Sequence, residues 1–284
     1  MIMLRSGTFH VGYQGVPGAY SYLAMKQYFA GCTLTAEAYP SFDDVVEAVK
    51  EGSIQYGVLP IENSSTGGIT TVYDLIRHND INIVGEKIVK VEHCLLVCPG
   101  TRLEEVRKVY SHPQGLAQCH AFFKAHPELA ECPYTNTAKA AQFVSGQKDH
   151  SLAAIAGAQA AEPYGLEVLL RGIQTNQSNY TRFVIVSRQA EIPPEANKIT
   201  LVVSLPHKPG SLYHVLGHFE QHGINMTNIE SRPIEGRPWE YFFHMDITGH
   251  LNDAAVQAAL AGLSLENARY KLLGNYVADG SGSV

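Results

Sequence analysis

The chain has 284 residues, 45% hydrophobic and 17% charged, with a formal net charge of −6 and a pI near 6.1. That length supports two domains, or one large one, around a substantial core. The acidic balance, with no basic run, argues against a nucleic-acid partner. Met1-Ile2-Met3-Leu4-Arg5 lacks the apolar region of a signal peptide, and no stretch has the ~20 apolar residues of a membrane span. The expectation is a cytoplasmic protein with no membrane partner. The five cysteines are scattered and form no C-x-x-C, which speaks against a disulfide framework or a zinc cage. A Cys94–Cys98 pairing and a Cys119-His120 nucleophile are the alternatives to plain packing of small apolar thiols.

In chain order, residues 9–13 read as a strand that enters Gln14-Gly15-Val16-Pro17-Gly18-Ala19-Tyr20-Ser21 and then a helical pattern to residue 29. A strand, a Gly-rich turn and a helix offer free N–H groups to an anion. The spacing G-x-x-G-x-x-G is not the dinucleotide fingerprint, so NAD is discounted. A second strand at 34–39 is followed by Ser41 and Asp44, spaced as a helix cap for a helix to 51 that Gly52 stops. A third strand, 55–61, ends in Glu62-Asn63-Ser64-Ser65-Thr66-Gly67-Gly68 before a helix at 70–78. Two strand ends thus carry polar loops that lead into helices, as at the ligand sites of open α/β sheets; ordinary turns and caps are the alternative.

Residues 81–97 form β-like apolar runs, including Glu92-His93-Cys94-Leu95-Leu96-Val97, that Pro99-Gly100 breaks. A second α/β set follows: a strand at 109–111, a helix from His112-Pro113-Gln114-Gly115 through 126, a strand around Tyr134 and a helix capped by Asn136. It closes with a strand at 151–155 and a small-residue helix at 157–164. Two lobes around a cleft, or one continuous sheet, both fit this order. Residues 174–179 are amides and hydroxyls that feed a buried β-branched strand, 183–186. Alternation puts Asn179, Thr181 and Phe183 on one face and Tyr180 and Arg182 on the other. That face is either a site wall or a capped strand entry, and unless a bulge intervenes Arg182 points away from Thr181.

Ile192-Pro193-Pro194-Glu195-Ala196-Asn197 reads as a linker. Beyond it come strand 198–205, helix 211–221, strands 224–230 and 239–247, helix 252–263 and strand 269–277, the βαββαβ ferredoxin-like order. Residues 279–284 are expected to be a disordered tail. His214, His218 and His222 recur at helical spacing off the apolar stripe; with no carboxylate or Cys partner, a solvated or interface face is the expectation and no metal site.

Taken together, these stretches resemble the prephenate dehydratases and are similar also to the arogenate dehydratases of plants. The residues that carry the resemblance are 14–21, Pro60-Ile61-Glu62-Asn63-Ser64, Ser111-His112-Pro113-Gln114 with Gln118-Cys119, Thr137-Ala138-Lys139-Ala140-Ala141, and above all Asn179-Tyr180-Thr181-Arg182-Phe183. Lys208-Pro209-Gly210-Ser211-Leu212 and Glu230-Ser231-Arg232-Pro233 are similar to the two ligand motifs of an ACT domain. The set covers nearly the whole chain in the family's order.

The resemblance implies an α/β, two-lobed catalytic region like the type II periplasmic binding proteins, at 1–190. Lobe 1 would span about 8–83 plus 172–188 and lobe 2 about 84–171. A linker at 191–197 and a ferredoxin-like ACT regulatory domain at 198–278 follow. It further implies decarboxylating dehydration of prephenate to phenylpyruvate in phenylalanine synthesis, without a cofactor. Thr181 would be catalytic, with Asn63, Ser111, Gln118 and Phe183; Gly18, Ala19, Tyr20, Ser21, Glu62, Ser64 and Asn179 would bind substrate. Feedback by L-phenylalanine would act at Gly210, Ser211, Leu212, Glu230, Ser231 and Arg232, in a dimer or tetramer paired through ACT domains. Ala19 departs from the family's usual Thr, so a hydroxyl contact is missing there. An arogenate dehydratase, or a non-catalytic two-lobed amino-acid sensor, are the rival readings.

The chemistry suits the residues. Loss of CO2 and hydroxide makes the ring aromatic, so the driving force lies in the substrate, and help with hydroxide departure is what a site must add. A threonine hydroxyl is a poor acid, so Thr181 is expected to donate partially. The strand that carries it, returning just before the linker, is the natural route from regulatory domain to site.

Overall fold

In the computed structural model, residues 8–234, 236–266 and 268–280 are described. The readings of residues 1–5 and of the tail at 281–284 lie outside them. The first lobe is built on β1 (Thr8–Gln14), β2 (Thr33–Tyr39), β3 (Tyr56–Asn63), the short β4 (Gly67–Gly68) and β5 (Asn82–Lys90), with α1 (Tyr20–Tyr28), α2 (Phe42–Glu51) and α3 (Thr70–His78) between them. The second holds β6 (Cys94–Val97), β7 (Lys108–Ser111), β8 (Ala130–Pro133), β9 (Leu152–Ala156) and β10 (Glu167–Leu170), with α4 (Pro113–Gln118), α5 (His120–Ala125) and α6 (Thr137–Gln147). The chain then returns as β11 (Tyr180–Ser187) to the first sheet, whose order is β2-β1-β3-β11-β5. A separate sheet ordered β10-β6-β9-β7-β8 makes the second lobe. There are therefore two sheets and two crossings between them, as the two-lobed expectation requires.

Local signals explain the boundaries. Ser41 and Asp44 form a reciprocal capping box at the start of α2, and Gly52 ends it in the left-handed region. β11 is buried along seven of its eight residues, as a central strand covered on both faces must be. Phe183 and Ile185 pack toward α1, while Val184 and Val186 face α2, α3 and the C-terminal sheet.

Three expectations change. β5 joins the first sheet beside β11, so the first crossing falls at 91–93, not at 83/84. The helix expected at 157–164 is two 3-10 turns, Ala158–Ala160 and Glu162–Tyr164, because Pro163 and Gly165 interrupt any regular helix. Asp279 is anchored rather than loose: its carboxylate accepts from the Ile88 N–H at 2.8 Å and pairs with Lys87 at 2.9 Å.

The third unit comprises β12 (Lys198–Ser204), α7 (Ser211–Gln221), β13 (Met226–Ile234), β14 (Arg237–Thr248), α8 (Ala254–Leu265) and β15 (Arg269–Tyr276), in the sheet order β13-β14-β12-β15. Its helices cover one face, through Val215, Phe219, Val256 and Leu263. The other face presses Val202, Phe242, Leu273 and Tyr276 into the core of the first lobe. Gly274 lies directly against the Ile83 carbonyl, where any Cβ would collide. Of the three spaced histidines, His218 packs on Gly262 and pairs with Glu266 at 3.4 Å between α7 and α8.

This buried seam is acid-sensitive. His244 on β14 is 1% exposed, packs with its ring tilted against that of Tyr73 on α3 at 4.6 Å between centroids, and has no hydrogen-bond partner at either ring nitrogen among the described residues. Burial pushes its pKa down to about 4, against the pull of Asp74 and Asp246. A histidine whose folded pKa lies below its unfolded value stabilises the fold when neutral, and that stability is lost as pH falls from about 6.5 toward 4. At pH 5 the loss is on the order of 2 kcal/mol. His244→Phe should therefore show a smaller fall in Tm between pH 7 and pH 5 than the parent, measured by calorimetry; equal falls would exclude His244 as the sensor.

Candidate active site

The cleft between the lobes holds a cavity of about 240 Å³, lined by residues of both lobes and of the first crossing, with Asn63, Thr181, Gln118 and His93 among them. It lies at the end of β3 and the start of β11 on one side and at α4 and the start of α6 on the other. Among the described residues, no Lys, Arg, Asp or Glu lines it. Tyr20, Ile69 and Val91 give it apolar walls.

Three side chains form a relay where β3 ends and β11 begins. The Asn63 Oδ1 accepts the Ser65 and Thr66 N–H groups, at 2.9 and 3.2 Å. Those donors have no alternative role, so they fix which way the amide faces. Its Nδ2 then donates to Asn179 Oδ1 at 2.8 Å and to Thr181 Oγ1 at 3.0 Å. With its oxygen already accepting, the Thr181 hydroxyl keeps its own proton free for the cleft. Asn179 is 1% exposed and stands behind Asn63. Ser64 locks the same corner, accepting from the Tyr180 N–H at 2.9 Å and donating to the Ser178 carbonyl at 3.3 Å.

Other expected site residues sit elsewhere. Phe183 is 3% exposed in the core under α1, two residues inward from the cleft, past a register shift between Arg182 and Phe183; it is not among the residues that line the cavity. Ser111 is fully buried beneath α4, donates to the Ile155 carbonyl at 2.7 Å, and is roofed by Gly115. From the first loop only Tyr20 reaches the cavity, its hydroxyl donating to the Glu92 carbonyl at 2.7 Å. Ser21 donates to the Gln14 carbonyl at 2.6 Å, and Ala19 is buried at the start of α1, which has no side-chain cap. Gly18, at φ +86°, meets the Ala160 backbone of the second lobe, where a Cβ would come within 2.7 Å. That loop is a contact between lobes. His93, His112, Gln114, Asn136 and Thr137 line the cavity without having been singled out as site residues.

Glu62 and Arg182 lie on the opposite faces of their strands from the cavity. The Arg182 guanidinium meets Glu62 at 3.0 Å, Glu86 at 3.4 Å and Asp246 of β14 at 2.8 Å. Lys198 of β12 joins at 2.8 Å from Glu86, and Thr200 donates to Asp246 at 2.7 Å. Burial alone would lower the Arg182 pKa; Asp246, Tyr276 and Glu86 outweigh it and hold the cation well above its ordinary value. The residue after Thr181 is thus clamped to the C-terminal sheet. In that sheet Asn228 and Arg232 also face the first lobe, the latter pairing with Asp74 at 2.6 Å, and Glu230 lies against Gly68. Alternation turns Ser231 toward the face that carries α7, whose start, Gly210 at φ +83°, precedes Ser211 and Leu212. Glu230 and Arg232 therefore do not share a wall with Gly210 within one chain.

Comparison with known proteins agrees with this layout. The family profile described as prephenate dehydratase matches residues 11–191, and the ACT domain profile matches 199–264. The bifunctional chorismate mutase/prephenate dehydratase of Escherichia coli K12 is 38% identical over 94% of this chain and 70% of its own length. The chloroplastic arogenate dehydratase/prephenate dehydratase 6 of Arabidopsis thaliana is 38% identical over 97% of this chain and 70% of that one. Among solved structures, GqqA, described as a novel type of quorum quenching acylase, superposes with a TM-score of 0.87 at 35% identity, covering 95% of this chain and 98% of that one. The prephenate dehydratase of Arthrobacter aurescens in complex with L-Phe gives 0.84 at 31% identity, covering 94% and 90%.

The ion cluster generates a stability test. Arg182→Leu leaves Glu86 and Asp246 buried against Lys198 alone and should cost about 3–5 kcal/mol. Glu62→Gln removes a partner that is 38% exposed and should cost under about 1 kcal/mol. Urea unfolding at pH 7 measures both; equal losses would contradict the central place of the arginine.

Proposed function

This chain belongs to the prephenate dehydratase family, and from that premise we propose that it converts prephenate to phenylpyruvate, water and CO2. The observation that carries the reading is the free proton of Thr181, set by the Asn63 amide that donates to its oxygen. In the reaction the bond from the ring to its carboxylate breaks and CO2 leaves. The electron pair moves through the ring and expels the hydroxyl opposite, which takes a proton to leave as water. Thr181 donates to that departing oxygen. Asn179 and Asn63 act behind it, and Gln118 and the first turn of α6 offer donors to the carboxylates. The absence of a cationic side chain among the described lining residues suits this chemistry. A carboxylate held by neutral donors gains little ground-state stabilisation and becomes uncharged CO2.

We further infer that residues 1–190 catalyse and 198–278 regulate, with L-phenylalanine as the feedback ligand, and that the chain works in the cytoplasm as a homo-oligomer paired through its ACT domains. Six of the eight exposed large apolar side chains among the described residues, Tyr213, Ile229, Trp239, Tyr241, Leu265 and Tyr270, lie on that domain. A ligand wall assembled from two copies would also reconcile Gly210 and Arg232, which face apart in one. All five cysteines are free, and no helix of the described residues is long and apolar enough to cross a membrane.

An acylase reading is weaker on the same geometry. Amide cleavage needs an activated nucleophile. The contacts of the Thr181 oxygen are with an amide, and the His93 Nε2 is engaged by Gln118.

Incubation with prephenate, with arogenate and with an N-acylated amine as an acylase probe, following phenylpyruvate, phenylalanine and free acid respectively, tests the reading. Prephenate is expected to be the substrate consumed. Thr181→Ala should lower kcat about 10²–10⁴-fold with Tm unchanged; near-normal kcat would remove Thr181 from the mechanism. L-Phenylalanine should reduce turnover and raise Tm, and a flat response in both would refute the feedback assignment.

A further inference from the structure

His93 sits in the first crossing between the lobes, 2% exposed, and has no part in the relay above. Its backbone is tied to the second crossing: its N–H donates to Gln174 Oε1 at 2.9 Å, and its carbonyl accepts from the Ile173 N–H at 3.0 Å. The ring stands edge-on to Tyr20, with centroids 6.3 Å apart. Nε2 lies 2.7 Å from the Gln118 Oε1, and Nδ1 is buried with no partner among the described residues.

Only one proton arrangement suits these contacts. A proton on Nδ1 would bury a donor without an acceptor, a cost of about 1–3 kcal/mol, and would set two acceptors against each other at 2.7 Å. A proton on Nε2 satisfies the Gln118 oxygen and leaves a bare lone pair instead. Burial holds the ring pKa down and so favours the neutral form, although the Gln118 contact pulls the other way. With its oxygen engaged, Gln118 turns its NH2 group into the cleft.

Asn136 does the same, its Oδ1 being taken by the Ala138 and Lys139 N–H groups at the start of α6. Asn63 Oδ1 is likewise taken, by the Ser65 and Thr66 N–H groups, but its NH2 group is spent on Asn179, Tyr180 and Thr181. The NH2 groups of Gln118 and Asn136 remain, in a lining without a carboxylate among the described residues. Gln114, which also lines the cavity, sits exposed and donates across the cleft to Thr66 at 3.3 Å.

We propose that this lining, which offers amide donors and no carboxylate among the described residues, with His93 as the positioning residue that sets the Gln118 amide, selects a keto acid over the corresponding amino acid. The inference rests on the dehydratase reading. Prephenate and arogenate differ where one carries a carbonyl and the other an ammonium group. A carbonyl accepts from the amides. An ammonium faces the same NH2 donors and finds no carboxylate among the described lining residues to pair with, a mismatch of the kind that discriminates between substrates.

The test compares kcat/KM for prephenate and arogenate in the parent, in His93→Leu, in His93→Gln, and in Gln118→Glu. The parent should prefer prephenate at least about tenfold. His93→Leu frees the amide to turn, so the preference should fall severalfold, mainly through a raised KM for prephenate. His93→Gln, which restores an N–H at that distance, should recover it. Gln118→Glu should move the ratio the same way as His93→Leu, and it serves if the buried leucine fails to fold. A folded His93→Leu or Gln118→Glu with an unchanged ratio would overturn the proposal. Two-bond ¹H–¹⁵N spectra of the ligand-free parent at pH 7 should report His93 protonated on Nε2; protonation on Nδ1 would overturn it independently of any turnover. Failure of the parent on both substrates would instead strike the dehydratase reading, with the tautomer still deciding how Gln118 is held.

Discussion

A buried cation holds this molecule together. Arg182 lies between a central strand of the first lobe and the C-terminal sheet, and three carboxylates from three different strands converge on it. Leaving Glu86 or Asp246 unpaired in that seam is costly, whereas the complete cluster is self-consistent. Because Arg182 follows Thr181 directly, the guanidinium and the hydroxyl project to opposite sides of one strand. The position of the site and the docking of the regulatory unit are therefore set by the same few ångströms of backbone.

That arrangement gives a physical form to communication between the domains. Any rearrangement of β12 and β14 must carry Asp246 and Lys198 with it, and both touch the cluster. Thr181, the residue before Arg182 on β11, holds its 3.0 Å contact from Asn63, so the cluster and the relay share one stretch of backbone.

Much of this is legible in the sequence, and the failures have clear causes. The alternation of β11 correctly separates Thr181 from Arg182, because that rule depends only on backbone geometry. The same rule pairs Thr181 with Phe183, but it is silent about depth: two residues inward, the strand is already beneath α1. Ser111 misleads for a related reason, since a hydroxyl at a strand end looks available until the helix above it is in place. His93 leaves no mark at all. A single imidazole inside the apolar run 91–97 resembles core packing, and only the fold reveals Gln118 beside it. The boundary of the first lobe is misplaced because β5 and β6 are both apolar and separated by three residues, so composition does not divide them.

The anchored Asp279 has a consequence for how this protein stays dispersed. β5 is the outer strand of its sheet, and outer strands with free N–H groups recruit further strands from other chains. Here the Ile88 N–H is taken by a carboxylate, Lys87 is neutralised beside it, and Gly274 of β15 lies flush against Ile83. The segment after β15 works as a guard rail along an otherwise adhesive margin. Because Ile88 is in register with Arg182 on the neighbouring strand and the Asp279 N–H donates to Glu86, the guarded margin lies one strand away from Thr181.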